Sequence, residues 1–340
     1  MLSLTRRCLS QVPRFSSFTQ SHVSGTLTSS SLRLYSTSLV PPAKPWKHHK
    51  GVADVYSFFE PATESWQYLL VDPKSSEGVI IDPVLDYNPA SGAISTQTAE
   101  GILAFINENG IKVRRVLETH AHADHLTASQ FFKKHIPGEV LVCIGERISQ
   151  IQKHFAPIYG FSNKDMENHF DVLFKDDEEF KLGDVSCKVM HLPGHTPDHL
   201  GYVVGKAVFT GDSIFMPDLG SARADFPGGN AKDLYDSMTR LLSLPDDFEL
   251  FVGHDYPPEK REHDCVATVG LHRQNNKHGR VGITEEQFIE FRQARDRVLG
   301  TPRLLHPSLQ VNIRAGKLPP PGSDGRIRMK IPVKVPTSMS

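Results

Sequence analysis

Cysteine is scarce in this 340-residue chain: four residues, Cys8, Cys143, Cys187 and Cys265, lie far apart with no Cys-x-x-Cys pair. That excludes a disulfide framework and points to a reducing compartment, with the three later thiols reading as small buried apolar side chains. No apolar run approaches the ~18 residues needed to span a bilayer. An excess of either charge is lacking too. Lys and Arg total 38 against 39 Asp and Glu, a formal charge of -1, so neither nucleic acid nor an anionic membrane surface is indicated as a partner. The hydrophobic fraction of 39% and charged fraction of 23% are ordinary for a globular chain long enough to bury a sizeable core.

Acid is missing from the N-terminus, where the first acidic residue is Asp54. The preceding stretch is rich in Ser, Thr and Leu and carries Arg6, Arg7, Arg14 and Arg33. Such a leader fits an organelle transit peptide, and it lacks the compact apolar stretch of a secretory signal. "RLYS" (Arg33 to Ser36) resembles a mitochondrial processing site, so the expected location is the mitochondrial matrix. The expected organisation is a transit peptide over 1–35, a Pro-rich linker over 36–50, a catalytic domain over 51–300 and a C-terminal extension over 301–340. The basic, Pro-containing end of that extension reads as a loosely ordered terminus.

Histidine is plentiful, with 17 residues, and three fall within "THAHADH", Thr119 to His125. The strand-like run "VRRVLETH" leads into this cluster, and "ADHLTASQFFKKH" after it reads as a helix. The cluster is therefore expected at the carboxyl end of a strand, where open α/β sheets hold their ligands. Further strand-like runs end in "PGHTPDH", "FTGDS" and "VGHDY". Together these deliver His120, His122, Asp124, His125, His195, Asp212 and His254 to one rim. Imidazole and carboxylate without cysteine suit Zn, Fe or Mn. One histidine at a strand end is ordinarily a surface or core residue; seven such side chains, most beside Gly or Asp, are a metal site. Pairs of strands followed by helices predict two packed sheets flanked by helices.

His-x-His-x-Asp-His followed in order by Gly-His-Thr, Gly-Asp and Gly-His-Asp resembles the metallo-β-lactamase superfamily. The resemblance covers about Val52 to Tyr256 and implies an α/β fold, an αββα four-layer sandwich with its metal site at one edge of the sheets. "THAHADHLTAS", "LPGHTPDH", "GDSIF", "ARADF" and "GHDY" are similar to the persulfide dioxygenases, relatives of the glyoxalase II thioesterases. The segment from Thr284 to Pro319 is similar to the extended C-terminus of one bacterial and fungal branch. Ala121 departs from the pattern, since animal members often carry cysteine there.

The resemblance implies two candidate metal sets. In dinuclear hydrolases the positions of His120, His122 and His195 hold one zinc, those of Asp124, His125 and His254 the second, and Asp212 bridges. In persulfide dioxygenases His120, His195 and Asp212 hold a single Fe(II), leaving His122, Asp124, His125 and His254 to orient ligands or water. The first set implies hydrolysis of glutathione thioesters. The second implies oxidation of glutathione persulfide by O2, which zinc, lacking redox chemistry, does not support. Residue types alone leave both open. Arg223, in "GSARADF", is a candidate for binding a substrate carboxylate, with an ion pair to Asp225 as the alternative. Tyr256 is a candidate hydroxyl donor to substrate, with plain packing as the alternative. The oligomeric state is not legible, and a homodimer stays open.

Overall fold

The computed structural model of the chain describes residues 44–259 and 261–336. The leader over 1–35 lies outside them. In chain order the strands are β1 (Trp46–Lys50), β2 (Ala53–Glu60), β3 (Ser65–Val71), β4 (Glu77–Ile81), β5 (Val84–Asn88), β6 (Ala93–Ser95), β7 (Lys112–Leu117), β8 (Leu126–Thr127), β9 (Leu141–Gly145), β10 (Val172–Phe174), β11 (Glu179–Leu182), β12 (Val185–His191), β13 (Leu200–Val204), β14 (Ala207–Gly211), β15 (Glu249–Val252) and β16 (Val266–Thr268). The helices are α1 (Gln97–Glu108), α2 (Ser129–His135), α3 (Ile148–Phe155), α4 (Ala231–Leu242), α5 (Val269–Asn275), α6 (Glu285–Asp296) and α7 (Leu305–Asn312).

Two large sheets result, ordered β1-β2-β3-β4-β7-β9-β10 and β11-β12-β13-β14-β15-β16, with a small third sheet β6-β5-β8. The pairs β4–β7, β7–β9, β9–β10 and β14–β15 are parallel. Parallel neighbours need a crossover, and α1, α2, α3 and α4 lie in those crossovers. β3 is buried along its whole length, as expected for a strand covered on both faces.

Three apolar clusters define the layers. Val55, Tyr68, Leu70 and Ile81 of the first sheet pack with Val189, Tyr202, Phe209 and Phe251 of the second. Leu69, Ile80 and Val116, on the opposite face of the first sheet, pack with Ile102 and Ile106 of α1 and Phe132 of α2. Val208 and Leu250 of the second sheet meet Leu234, Met238 and Leu241 of α4 and Phe288 of α6. The order helix–sheet–sheet–helix is the four-layer sandwich expected from the sequence. The Asn230 side chain caps α4, and a Thr284–Gln287 capping box opens α6.

Three boundaries differ from the sequence expectations. Residues 123–125 are not helical: β8 intervenes, and α2 starts only at Ser129. The stretch expected as linker already contains β1, which pairs antiparallel with β2 and stacks Trp46 against Trp66 at 5.0 Å. Beyond residue 300, α7 belongs to the core, with Leu309 and Ile313 buried beside Ala121, Ile144 and Phe155. Pro307 is tolerated there because it occupies the first turn, where no intrahelical N–H bond is lost. The terminal stretch is anchored as well: Lys330 donates from its backbone to Gln310 Oε1 at 2.7 Å and from Nζ to Tyr159 O at 2.7 Å.

Candidate metal centre

The histidine-rich loop leaves β7 and is tied to both sheets. The N–H of Glu118 donates to Cys143 O at 2.9 Å, and that of Leu200 to Thr119 O at 2.7 Å. Tyr202 donates its hydroxyl to Glu118 O at 2.7 Å. His195 follows β12, Asp212 directly follows β14, and His254 lies two residues past β15. Gly211, at φ +48°, turns the chain into Asp212; a Cβ there would lie 2.8 Å from His199 Nε2.

All seven side chains expected at the rim come together, in two groups. Ligand atoms of His120, His195 and Asp212 lie within 4.8 Å of one another, and so do those of His122, Asp124 and His125. Asp212 Oδ2 stands 4.0 Å from His120 Nε2 and 3.6 Å from His195 Nε2. His254 Nε2 joins the two groups, 3.5 Å from Asp212 Oδ1 and 3.2 Å from Asp124 Oδ2. The His122 ring lies against that of His120, with centroids 4.1 Å apart, but does not aim its Nε2 at Asp212. Its Nε2 instead faces Asp82 Oδ1 at 3.0 Å and Glu118 Oε2 at 3.6 Å.

Three of the candidate ligands are held from behind. His195 Nδ1 donates to Arg223 O at 2.8 Å, which turns Nε2 toward Asp212. Thr119 Oγ1 donates to Asp82 Oδ2 at 2.8 Å and lies 3.0 Å from His120 Nδ1, which fixes the His120 ring. His254 Nδ1 donates to Glu64 O at 3.1 Å. Metal-binding histidines are characteristically oriented by such contacts at the second ring nitrogen.

Four supporting residues were missed in the sequence. His199 Nε2 accepts the Asp212 N–H at 2.9 Å, and its ring stacks on His120 at 4.7 Å. Asp82 and Glu118 receive His122, and Glu118 also accepts the hydroxyls of Thr127 and Ser129. Asn312, on α7, donates to His122 O and His125 O, both at 2.8 Å. Asp82 stands just past β4, so the same search for acids at strand ends finds it; Asn312 has no local signal.

The family model of the metallo-β-lactamase superfamily matches residues 62–254, more than half of the chain. The chain belongs to the metallo-β-lactamase superfamily. Its relatives include a β-lactamase hydrolase-like protein of Agrobacterium fabrum, 42% identical over 84% of this chain and 66% of that protein. The chain thus spans slightly under two thirds of that relative's length. Glyoxylase B2 of Dictyostelium discoideum is 40% identical over 84% of this chain and 98% of its own length. The human mitochondrial persulfide dioxygenase ETHE1 is 30% identical over 68% of this chain and 78% of its own. Among solved structures, ETHE1 from Myxococcus xanthus superposes with a TM-score of 0.63 and 27% identity, covering 77% of this chain and 99% of that one.

The donor set fits the metal binding of this superfamily. His120 Nε2, His122 Nδ1 and His125 Nε2 are buried without a hydrogen-bond partner. Buried polar atoms rarely go unsatisfied, and several together mark an ion's place. Burial pushes His120 and His199 well below the usual imidazole range, so both are neutral. For His254, burial is outweighed by Asp212 and Asp124, which hold it up to about 10. For His122, burial is likewise outweighed by Asp82, which holds it up to about 9. Burial lifts Glu118 to about 7.

The superfamily's metal edge opens here into a cavity of about 700 Å³ that includes Asp124, His195, Asp212 and His254. Tyr256 forms part of its wall, its ring parallel to that of His254 at 5.7 Å and edge-on to Phe215 at 5.9 Å. Arg223 also lines it, but its fork is spent: Nε and Nη2 reach Asp225 at 2.5 and 2.7 Å, and Nη1 reaches Gly300 O at 2.8 Å. The structure thus places Arg223 in the ion pair, and its contribution to the centre is the carbonyl that orients His195. The cysteines of the two sheets take no part. Cys143 and Cys187 are buried thiols, and burial pushes both up to about 12. No helix among the described residues is long and apolar enough to cross a membrane.

Proposed function

We propose that the chain is a mononuclear iron persulfide dioxygenase of the mitochondrial matrix, converting glutathione persulfide, O2 and water into glutathione, sulfite and two protons. The observation that carries this reading is the grouping of His120 and His195 with Asp212, while the Nε2 of His122 faces Asp82. Two imidazoles and one carboxylate are the ligand set of non-haem Fe(II) oxygenases; the iron supplies redox chemistry and open positions for both substrates.

The chain's own groups do the rest. Arg223 O, Thr119 and His199 orient the three ligands from behind. His254 Nε2 stands between Asp124 and Asp212 and positions both carboxylates. Phe215 and Tyr256 wall the cavity beside the centre. The acid-poor leader adds the mitochondrial address.

A dinuclear zinc thioesterase is the second reading. It is favoured by the contact of His254 with both Asp124 and Asp212 and by the 40% identity to glyoxylase B2. Oxygen uptake with glutathione persulfide, measured beside hydrolysis of a glutathione thioester, separates the two. Oxygen uptake with sulfite formation supports the dioxygenase; thioester cleavage without oxygen uptake overturns it.

A further inference from the structure

The formal charge of -1 conceals an uneven distribution. From residue 304 onward the chain carries six bases, Arg314, Lys317, Arg326, Arg328, Lys330 and Lys334, against one acid, Asp324. Residues 1–303 keep 32 of the 38 bases and 38 of the 39 acids, so a segment of charge +5 is joined to a body of charge -6. Arg314 and Lys330 stand over the same ring, that of Phe161, at 4.9 and 5.9 Å. Arg328 pairs with Asp324 at 2.9 Å, whereas Lys317, Arg326 and Lys334 form no ion pair with any described residue. The same stretch is apolar. Of the fourteen large apolar side chains exposed among the described residues, four fall within nine positions: Ile327 at 48%, Ile331 at 63%, Val333 at 80% and Val335 at 56%. The backbone of Lys330 exchanges two bonds with the Gln310 side chain, both at 2.7 Å. Past that anchor, residues 331–336 join no helix or strand and make no backbone–backbone hydrogen bond with the described residues.

We infer that residues 326–335 dock on an anionic bilayer surface, with the bases on lipid phosphates and Ile327, Ile331, Val333 and Val335 entering the boundary between headgroups and acyl chains. The whole-chain balance, which indicated no membrane partner, does not describe this segment. Charge complementarity selects the surface: bases beside an anionic leaflet are attracted one by one, and clustered aliphatic side chains add burial that nucleic acid does not offer. The stretch holds no aromatic ring on which a base would stack. A second copy is the poorer partner for it, because two such arms repel each other. Pro332 and Pro336 also interrupt any ladder that the segment would build on a sheet edge. Against lipid the same prolines help, since each removes an N–H that would lose its water. The acidic body and the basic segment together orient the molecule, with the segment toward the leaflet. This docking is independent of the reaction carried out at the metal centre.

The test is co-sedimentation of the full chain with phosphatidylcholine vesicles, plain or containing about 30% phosphatidylglycerol. Arg6, Arg7, Arg14 and Arg33 are replaced by alanine throughout, so that the basic leader does not contribute. The parent is expected to bind the anionic vesicles only, and less as salt is added. Removing two bases together, Arg326→Ala with Lys334→Ala, should lower the partition coefficient about 25-fold, at about fivefold per base. Ile331→Ser with Val333→Ser should lower it about tenfold. These side chains are exposed, so the variants keep the parent's fold and its activity in solution. A local readout comes from Val333→Trp, whose added emission should shift to the blue on the anionic vesicles and be quenched by lipids with brominated acyl chains. Equal partition onto both kinds of vesicle, unchanged partition in both double variants, or an unquenched Val333→Trp overturns the inference. So does a lipid-free dimer that the double variants dissociate, which would assign the segment to a second copy.

Discussion

His199 Nε2 accepts the backbone N–H of Asp212 at 2.9 Å while its ring stacks on that of His120 at 4.7 Å. One buried neutral imidazole therefore sets the position of two candidate ligands that are far apart in sequence. Replacing such an outer partner characteristically costs metal affinity by about 10- to 100-fold. His199→Ala is expected to show that loss in a competitive chelator titration, with the fold retained. His199→Gln, whose amide oxygen can accept the same N–H, should recover part of it.

Asn312 satisfies three buried backbone groups of the metal loop: it donates to His122 O and His125 O and accepts the N–H of Thr127 at 2.9 Å. Asn312→Ala leaves all three unpaired. The expected loss is on the order of 3 kcal/mol of unfolding free energy, read from a urea titration. Asn312→Asp should be worse, since it sets carboxylate oxygens against two carbonyls.

Acid should weaken the fold through two buried histidines that are not candidate metal ligands. Burial holds both His272 and His278 down to about 4. His278 Nδ1 accepts the Ser221 N–H at 3.0 Å, a bond the neutral ring alone can form. A histidine with a depressed folded pKa contributes stability above its unfolded value, about 6.5, and that stability is lost as pH falls toward 4. Urea midpoints should therefore fall between pH 6.5 and 4, with a slope approaching two protons taken up on unfolding. His272→Gln should reduce that slope by about one.

Arg223→Ala tests where the guanidinium acts. Its fork is engaged by Asp225, and its carbonyl, which the substitution keeps, orients His195. KM for the glutathione substrate should change by less than about twofold and metal content should stay constant, because a partly exposed ion pair contributes little. A tenfold rise in KM would restore Arg223 as a substrate-binding residue.

Much of this centre is written locally. "THAHADH", "PGHTPDH", "FTGDS" and "VGHDY" each follow a strand that its own apolar residues reveal, so the side chains that converge could be named from the chain. The supporting contacts could not. Asn312 reaches the metal loop from 187 residues away, and His199, though it closes the motif "PGHTPDH", acts by accepting a backbone N–H, a role its residue type does not announce. The helix expected over 123–135 starts late because Asp124 and His125 are committed to the metal loop and Leu126 pairs with β5, contacts that override helical spacing. α7 escaped notice because Pro307 sits inside it, and β1 because its strand follows directly on a Pro-rich stretch.

The metal content of the purified protein and of two variants bears most directly on the single-ion centre. Elemental analysis should find about one iron per chain in the parent. It should find none in His195→Ala, which loses a ligand, and undiminished iron in His254→Ala, which loses only a neighbouring charge. Two zinc ions per chain, with equal loss of metal in both variants, would contradict it.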